Sequence, residues 1–262
     1  MSGYYHECIA ATYDAASPGV PGDVDFYLAL ARDAHAAGQP VLELACGTGR
    51  VAIPIAQEGI RVVGLDASPA MLDIARRKAG GLDGVRWVEG DMSSFELPER
   101  FGLAFIAYRS FQHLLTTVEQ LSCLRCVREH LAPGGRFALN VFNPNIVAIA
   151  RWLTANRGGV QRMDDYRHPE TDHTVLRWES NAFRPSAQEI DSSRLHEELS
   201  DQGAVLSRSY RSFTLRYLHR YEAEHLLARA GFEVEALYGD FFGAPFGDTS
   251  PEMVWVARRS DP

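Results

Sequence analysis

The chain has 262 residues, of which 46% are hydrophobic and 23% are charged, as expected for one large globular domain or a core domain with an insertion. Its formal net charge is −8, from 26 basic and 34 acidic residues, and no basic stripe is evident, which argues against nucleic acid and anionic membranes as partners. No apolar run approaches the roughly 20 residues of a membrane span, and the first residues lack a secretory pattern, so we expect a cytoplasmic protein.

Strand and helix signals alternate through the first half of the chain. Asp23 is expected to cap the first helix, and Ser68 precedes a proline at the first helical position of the third. The predicted strands cover residues 41–45, 60–66, 85–89, 101–107 and 136–142, and the predicted helices cover residues 23–37, 50–58, 68–78 and 117–130. This alternation is typical of a doubly wound α/β fold, in which helices cover both faces of a parallel sheet.

The pattern changes after residue 143 and returns near residue 216. In between, aromatic and β-branched residues mix with turn residues, which predicts an antiparallel sheet. The predicted elements from here on are strands over 175–179 and 205–215, a turn at 168–172, a helix over 220–230 and strands over 232–238 and 253–257. Because the segment is too long for a loop, we predict a core of residues 1–143 and 216–262, and an antiparallel β cap of residues 144–215 over the active site.

A glycine-rich turn, Cys46-Gly47-Thr48-Gly49, follows the first predicted strand. Such a turn lets a ligand approach the backbone, but its Gly-x-Gly-x-x-Ala spacing alone also fits a dinucleotide fingerprint. Three acids sharpen the interpretation: Glu43 lies inside the preceding strand, Asp66 ends the next strand, and Asp91 ends the third beside Met92. An acid at the position of Asp66 can accept both hydroxyls of a ribose. Together these residues predict an adenosyl pocket.

Four segments in this order resemble the motifs of class I S-adenosylmethionine (SAM)-dependent methyltransferases. They are Glu43-Leu-Ala-Cys-Gly-Thr-Gly-Arg50, Gly64-Leu-Asp-Ala-Ser-Pro-Ala-Met71-Leu72, Glu89-Gly-Asp91-Met92 and Leu131-Ala-Pro-Gly-Gly135. The resemblance covers about residues 40–143 and 217–258. It implies a Rossmann-like, doubly wound, seven-stranded sheet whose last strand runs antiparallel. It also implies that the backbone at Ala45 and Gly47 lines the methionine moiety of SAM, that Asp66 binds the ribose, and that Asp91 and Met92 frame the adenine.

The candidate cofactor-binding residues follow from these motifs and from the aromatic N-terminal segment. They are Tyr5, Glu43, Ala45, Gly47, Gly49, Arg50, Asp66, Ala67, Met71, Asp91, Met92 and Ala107. Arg50 and Arg109 are candidates for the cofactor carboxylate, because a guanidinium can bind a carboxylate through two hydrogen bonds. The alternatives are that Glu43 anchors the turn and that Met71 packs in the core.

The candidate catalytic residues are Tyr13, His113 and Arg109. His113 follows the fourth strand and is a possible base. Tyr13 precedes an aspartate in a segment that resembles the lid of small-molecule members of the family, where a phenol face can lie near the sulfonium. The candidate substrate-binding residues lie at the predicted mouth of the pocket and are Tyr108, Gln112, Asn140, Asn143, Arg216 and Tyr217.

The sequence predicts no metal site and no disulfide framework. Cys123 and Cys126 stand in a helical pattern without a second ligand pair, and His168 and His173 have the composition of a hairpin turn. Metal or redox use of these residues is the less favoured alternative.

The leading functional hypothesis is transfer of a methyl group from SAM to a small molecule, at a nitrogen or an already acidic nucleophile, in secondary metabolism. The motifs of methyltransferases that act on nucleobase or glutamine amides, or on pyrimidine rings, are absent. Alternatives are intramolecular displacement within SAM, giving a cyclic amino acid and methylthioadenosine, an NAD-dependent oxidoreductase, and a non-catalytic SAM-binding module. We expect a monomer or a homodimer.

Overall fold

The computed structural model describes residues 10–147, 149–150 and 159–260. Strands and helices alternate in its first half as the sequence predicts. The helices are α1 (Tyr13–Ala16), α2 (Asp23–Ala36), α3 (Ala52–Gln57), α4 (Pro69–Ala79), α5 (Thr117–His130) and α6 (Arg220–Arg229), with a 3-10 turn at Ser110–His113. The strands are β1 (Val41–Leu44), β2 (Val62–Asp66), β3 (Val85–Glu89), β4 (Phe101–Ile106), β5 (Leu131–Phe142), β6 (Gln161–Arg162), β7 (Tyr166–Arg167), β8 (Thr174–Arg184), β9 (Glu189–Leu199), β10 (Val205–Arg216), β11 (Phe232–Tyr238) and β12 (Glu252–Arg259).

Seven strands form the main sheet in the order β11-β12-β5-β4-β1-β2-β3. Strands β1 to β5 pair in parallel, and β12 runs antiparallel to both β5 and β11. This confirms the seven-stranded sheet with an antiparallel last strand. The parallel arrangement brings the carboxyl ends of β1, β2, β3 and β4 to one edge, where ligands bind in such folds.

Hydrophobic clusters cover both faces of this sheet because alternate residues of a strand point to opposite faces. On strand β1, Val41 belongs to one cluster and Leu42 to the other, and both are fully buried. Leu124 of α5 and Leu227 of α6 pack on the side of Leu42, whereas Ile55 of α3 packs on the side of Val41. The main sheet is therefore a rigid support for the loops at its edge.

Local capping explains several helix boundaries. The Ser68 side chain accepts a hydrogen bond from the Met71 backbone N–H at 3.4 Å, with proline at the first position, so α4 begins as predicted. Thr116 and Glu119 form a reciprocal capping box at the start of α5. The prediction that Asp23 caps α2 is wrong: Asp23 is the first helical residue, and Gly22, with φ +83°, occupies the cap position.

A second, antiparallel sheet has the order β10-β9-β8-β6, with β7 also paired to β8. It lies within the predicted cap, and both predicted strands of the cap are present but longer. Strand β9 was not predicted. Its buried positions include Ser192 and His196, so it lacks the apolar alternation by which a strand is recognised from sequence. Among the described residues, no helix is long and apolar enough to cross a membrane.

Candidate active site

The turn after β1 depends on two glycines with different roles. Gly47 has φ +55° and Gly49 has φ +77°, a backbone conformation that favours glycine. A Cβ atom at Gly49 would lie 2.6 Å from the Trp87 ring, so this residue permits close packing of the turn on β3. Nothing lies within 4 Å of a Cβ position at Gly47, and this residue lines a cavity. The first glycine therefore exposes backbone to a ligand.

The cavity opens at the carboxyl edge of the main sheet and has about 790 Å³ of empty space, including its mouth. Its lining contains many of the predicted site residues. The lining residues are Tyr13, Ala45, Gly47, Leu65, Asp66, Ala67, Ser68, Met71, Gly90, Asp91, Met92, Ser110 and His113. The fold thus brings the ends of β1, β2, β3 and β4 together in one pocket, as the motifs predict.

Asp66 is held rigidly at the end of β2. One carboxylate oxygen accepts a hydrogen bond from the Gly47 N–H at 2.7 Å, and the other accepts one from the Ser68 N–H at 2.8 Å. Burial raises the pKa of this carboxyl, and the two N–H groups oppose that shift. Each oxygen keeps a second lone pair, so Asp66 can still accept hydrogen bonds from a diol in the cavity.

The turn after β3 is fixed by helix α5. An Asp91 carboxylate oxygen accepts hydrogen bonds from the Ser93 N–H at 2.8 Å and from the Ser93 hydroxyl at 2.7 Å. The Ser93 carbonyl in turn accepts from the Ser122 hydroxyl at 2.8 Å and from the Cys126 thiol at 3.6 Å. Cys126 therefore has a positioning role that its C-x-x-C spacing did not indicate. No cluster of metal ligands occurs among the described residues.

The N-terminal segment reaches the glycine-rich turn. Asp14, next to Tyr13 in α1, accepts hydrogen bonds from the Thr48 hydroxyl at 2.5 Å and from the Lys78 ammonium at 2.6 Å. Lys78 is the single lysine of the chain. The Tyr13-Asp14 pair was selected from the sequence, but its two partners were not, because they lie 34 and 64 residues away. Tyr5 lies outside the described residues.

His113 lines the cavity on the side of the cap. Its ring lies 5.8 Å from the ring of Phe213 on β10, centroid to centroid. Burial, together with the positive charges of Arg211 and Arg194, lowers the pKa of His113 to about 4. The imidazole is therefore neutral near pH 7 and can act as a hydrogen-bond acceptor or donor.

The two arginines predicted to bind the cofactor carboxylate are directed to carboxylates of the protein. Arg50 makes two hydrogen bonds to Asp23, at 2.8 and 2.5 Å, and its guanidinium lies 5.5 Å from the centre of the Tyr108 ring. Arg109 makes an ion pair with the fully buried Glu252. Neither arginine, nor Tyr108, belongs to the lining of the cavity. Sequence motifs cannot reveal such partners, because they are distant in the chain.

The polar residues predicted at the pocket mouth serve largely as framework. Gln112 donates to the Arg216 carbonyl at 3.3 Å and accepts from the Phe142 N–H at 3.2 Å. Asn140 donates to Glu252 at 2.9 Å. Asn143 donates a hydrogen bond to the Ser250 carbonyl. Arg216 donates to the Leu115 carbonyl and to the carboxylate of Glu222. The buried Tyr217 is bonded to Gln188 through its backbone N–H and carbonyl. The bonds of Gln112 and Arg216 join the segment after β4 to the end of β10, and those of Tyr217 reach Gln188 of the cap. The bonds of Asn140 and Asn143 lie within the core.

Glu43 and Ala107 are also outside the cavity lining. Ala107 is buried at the end of β4. Glu43 is 2% exposed, and one of its carboxylate oxygens has no hydrogen-bond partner. Burial raises the pKa of Glu43 to about 8, while Arg50 and a backbone hydrogen bond from Ala52 oppose the shift. The position of Glu43 behind the glycine-rich turn favours the alternative that it anchors this turn.

A Glu43→Gln variant is expected to change how stability depends on pH. The folded pKa of about 8 lies above the ordinary value of 4.5, so the folded protein binds the proton more tightly, and stability falls as pH rises from about 4.5 to about 8. The wild type should lose about 2 kcal/mol of unfolding free energy relative to the variant between about pH 5 and pH 7. Urea unfolding at both pH values measures this. Parallel pH dependence in the two proteins would contradict it.

The donor set of the cavity fits the cofactor that the sequence motifs imply. Asp66 and Asp91 supply carboxylates for hydroxyl and amino groups, Leu65, Met71 and Met92 supply an apolar wall, and Gly47 leaves open space beside its backbone. These are the groups that an adenosine with a short charged tail requires.

Comparison with known proteins gives a consistent result. Residues 41–135 match the family model described as a methyltransferase domain. The chain is 32% identical over 224 residues to a cypemycin N-terminal methyltransferase from Streptomyces sp, covering 85% of this chain and 84% of that protein. It is 27% identical to a dTDP-3-amino-3,4,6-trideoxy-alpha-D-glucopyranose N,N-dimethyltransferase from Streptomyces venezuelae, covering 80% and 82%. The solved structure of the CcbJ methyltransferase from Streptomyces caelestis aligns with a TM-score of 0.76 at 30% identity, covering 97% and 96%.

Proposed function

This chain belongs to the family of SAM-dependent methyltransferases, and from that premise we propose that it methylates a nitrogen atom of a small-molecule acceptor. Two similar proteins support this choice by their names, since one is an N-terminal methyltransferase of cypemycin and the other is an N,N-dimethyltransferase of a dTDP-linked amino sugar. Family membership also removes the NAD-dependent oxidoreductase that the glycine spacing alone allowed.

The observation that carries the proposal is the desolvated position of His113 in the cavity wall. Burial is the main cause that lowers the pKa of His113 to about 4, and the charges of Arg211 and Arg194 act in the same direction. The same loss of solvent disfavours the ammonium form of an amine that binds beside His113. An acceptor amine is therefore expected to bind here as the free base, which is the form that can attack a methyl group.

Bound SAM supplies a methyl group on a sulfonium, which is already a good leaving group. The work of the protein is then positioning and exclusion of water. Asp66 and Asp91 would hold the adenosyl part through their carboxylates, and α1 closes the cavity through Tyr13. The neutral His113 would accept a hydrogen bond from the acceptor N–H and so direct the nitrogen lone pair into the cavity. No strong base is required, because the amine arrives deprotonated.

The test is incubation of the protein with SAM alone and then with a pool of small amines, including amino sugars. Mass analysis should find S-adenosylhomocysteine together with an N-methylated amine, and only when an amine is present. Methylthioadenosine formed without any acceptor would instead establish the intramolecular reaction. Binding of SAM without either product would indicate a non-catalytic module.

His113→Asn is expected to lower kcat/KM for the amine by about tenfold, because one hydrogen bond to the nucleophile is lost. The wild-type pH profile should show no loss of activity from His113 between about pH 6 and pH 8, since its pKa is about 4. Steady-state kinetics across pH measures both. His225→Asn, on the exposed surface of α6, is the matched control and should be unchanged. Equal rates for all three proteins would remove His113 from the mechanism.

A further inference from the structure

The strand register of the cap places a set of polar residues in adjacent rows on one face. Arg194 on β9 lies between Glu179 on β8 and Arg211 on β10. In the next row, Ser192 lies between Asn181 and Phe213. Because residues two apart on a strand share a face, this face continues to His196, which lines a smaller cavity together with Tyr13 and Arg211. The face therefore belongs to the surface that α1 and the cofactor cavity contact.

The pairing of Arg194 with Arg211 is costly for the fold. Like charges directly opposite each other on neighbouring strands destabilise a sheet. Both guanidinium groups also lie over one ring, that of Phe213, with distances of 5.1 Å for Arg194 and 5.7 Å for Arg211 from the guanidinium carbon to the ring centre. The strand register and this shared ring place both cations in one part of the face. Such convergence of guanidinium groups is typical of sites for carboxylates and phosphates.

The buried polar atoms of these rows without a hydrogen-bond partner include the Ser192 hydroxyl. Ser192 is only 3% exposed. The Arg194 Nε lies 3.2 Å from a carboxylate oxygen of Glu179, an ion pair without the geometry of a hydrogen bond. A buried hydroxyl that lacks a partner destabilises a fold. The Ser192 hydroxyl beside the two arginines is therefore a donor that a ligand can use.

The location of this face connects it to the reaction. The Phe213 ring that carries both arginines contacts His113, and His113 lines the cofactor cavity. A group bound by Arg194 and Arg211 would thus be separated from the position proposed for the acceptor nitrogen by about the length of one side chain.

We propose that Arg194 and Arg211, with Ser192 beside them, bind an oxyanion of the acceptor, so that the substrate carries a carboxylate or a phosphate ester close to the methylated nitrogen. This inference rests on the proposed function and adds the substrate class to it. Glu179 then competes for Arg194. An acceptor oxyanion either displaces Glu179 or shares Arg194 with it.

The test is calorimetric titration of the protein, saturated with S-adenosylhomocysteine, with inorganic phosphate and separately with acetate at constant ionic strength. At least one of the two anions should bind. Arg194→Gln should weaken this binding by about tenfold, equal to about 1.4 kcal/mol. The anion that binds more tightly identifies the phosphate ester or the carboxylate as the source.

Two further variants separate a binding site from a structural role. Glu179→Gln removes the competing carboxylate and should tighten anion binding, whereas a purely structural Arg194–Glu179 pair predicts that both variants behave alike. Arg208→Gln is the matched control, because Arg208 lies on the opposite face of β10, paired with Glu197 at 2.7 Å, and should leave anion binding unchanged.

Several results would overturn the inference. The inference fails if neither anion binds the wild type, or if Arg208→Gln weakens anion binding as much as Arg194→Gln does. It also fails if Arg194→Gln and Glu179→Gln change the affinity for the anion in the same way. A tenfold loss of S-adenosylhomocysteine affinity in Arg194→Gln would also overturn it, since the arginine would then serve the cofactor. Failure of the wild type to bind S-adenosylhomocysteine at all would instead count against the proposed function, so the two failures are distinguishable.

Discussion

Asp66→Asn and Asp66→Ala are expected to weaken SAM binding by roughly 2–4 kcal/mol, or about thirtyfold to a thousandfold, because buried hydroxyls lose a charged acceptor. The carboxylate lines the cavity and is already oriented by the Gly47 and Ser68 N–H groups, so it needs no rearrangement to accept the ribose. Calorimetry with SAM measures the loss. The asparagine variant keeps one acceptor oxygen, so its loss of SAM affinity should lie at the smaller end of this range.

The Asp66 experiment needs a control for folding. Loss of the carboxylate also removes the two backbone hydrogen bonds, so thermal unfolding of each variant must be compared with the wild type. Asp73→Asn is the matched substitution, because Asp73 lies exposed on α4, paired with Arg76, and is outside the cavity lining. Unchanged affinity in a folded Asp66 variant would refute the ribose assignment.

Removal of residues 1–16 is expected to lower turnover by roughly a hundredfold while SAM affinity falls less, since a lid contributes mainly positioning and water exclusion. The structure gives three attachments for this segment. Asp14 binds Thr48 and Lys78, the Ala16 carbonyl accepts a hydrogen bond from Arg177 of the cap, and Tyr13 lines the cavity. The segment thus joins the glycine-rich turn to the cap. Steady-state kinetics and calorimetry measure the two quantities separately.

The sheet should survive this truncation, because its first covering helix, α2, begins at Asp23. Circular dichroism and thermal unfolding check this. A shorter truncation of residues 1–9 tests whether the segment with Tyr5 adds to the effect of α1, and Lys78→Met removes one attachment without shortening the chain. If the protein without residues 1–16 turns over at the full rate, the lid assignment is wrong.

Much of the core could be predicted because its signals are local. Ser68 and Pro69 mark the start of α4 within a few residues, and Val41 to Leu44 form an apolar run that ends at a glycine-rich turn. The position of Asp66 at a strand end predicted its place in the cavity, because carboxyl ends of parallel strands meet at one edge. The cavity then gathers Ala45, Asp66 and Asp91 as the motifs imply.

The cap was less predictable because its strands face a polar interior. Strand β9 buries Ser192 and His196 as well as Ile190. Its sequence therefore shows no clear alternation of apolar and polar residues, and it resembles a loop. Only the pairing with β8 and β10 reveals it as a strand.

The sequence by itself determined the fold class, the family and the motif residues that line the cavity, because each depends on residues adjacent in the chain. The tertiary structure alone decided the partners of charged side chains. Arg50 binds Asp23 and Arg109 binds Glu252, 143 residues away, whereas Arg194 and Arg211 converge beside His113. A guanidinium has the same chemistry in every case. Which anion it meets depends on strand register and burial, and these arise only when distant segments pack together.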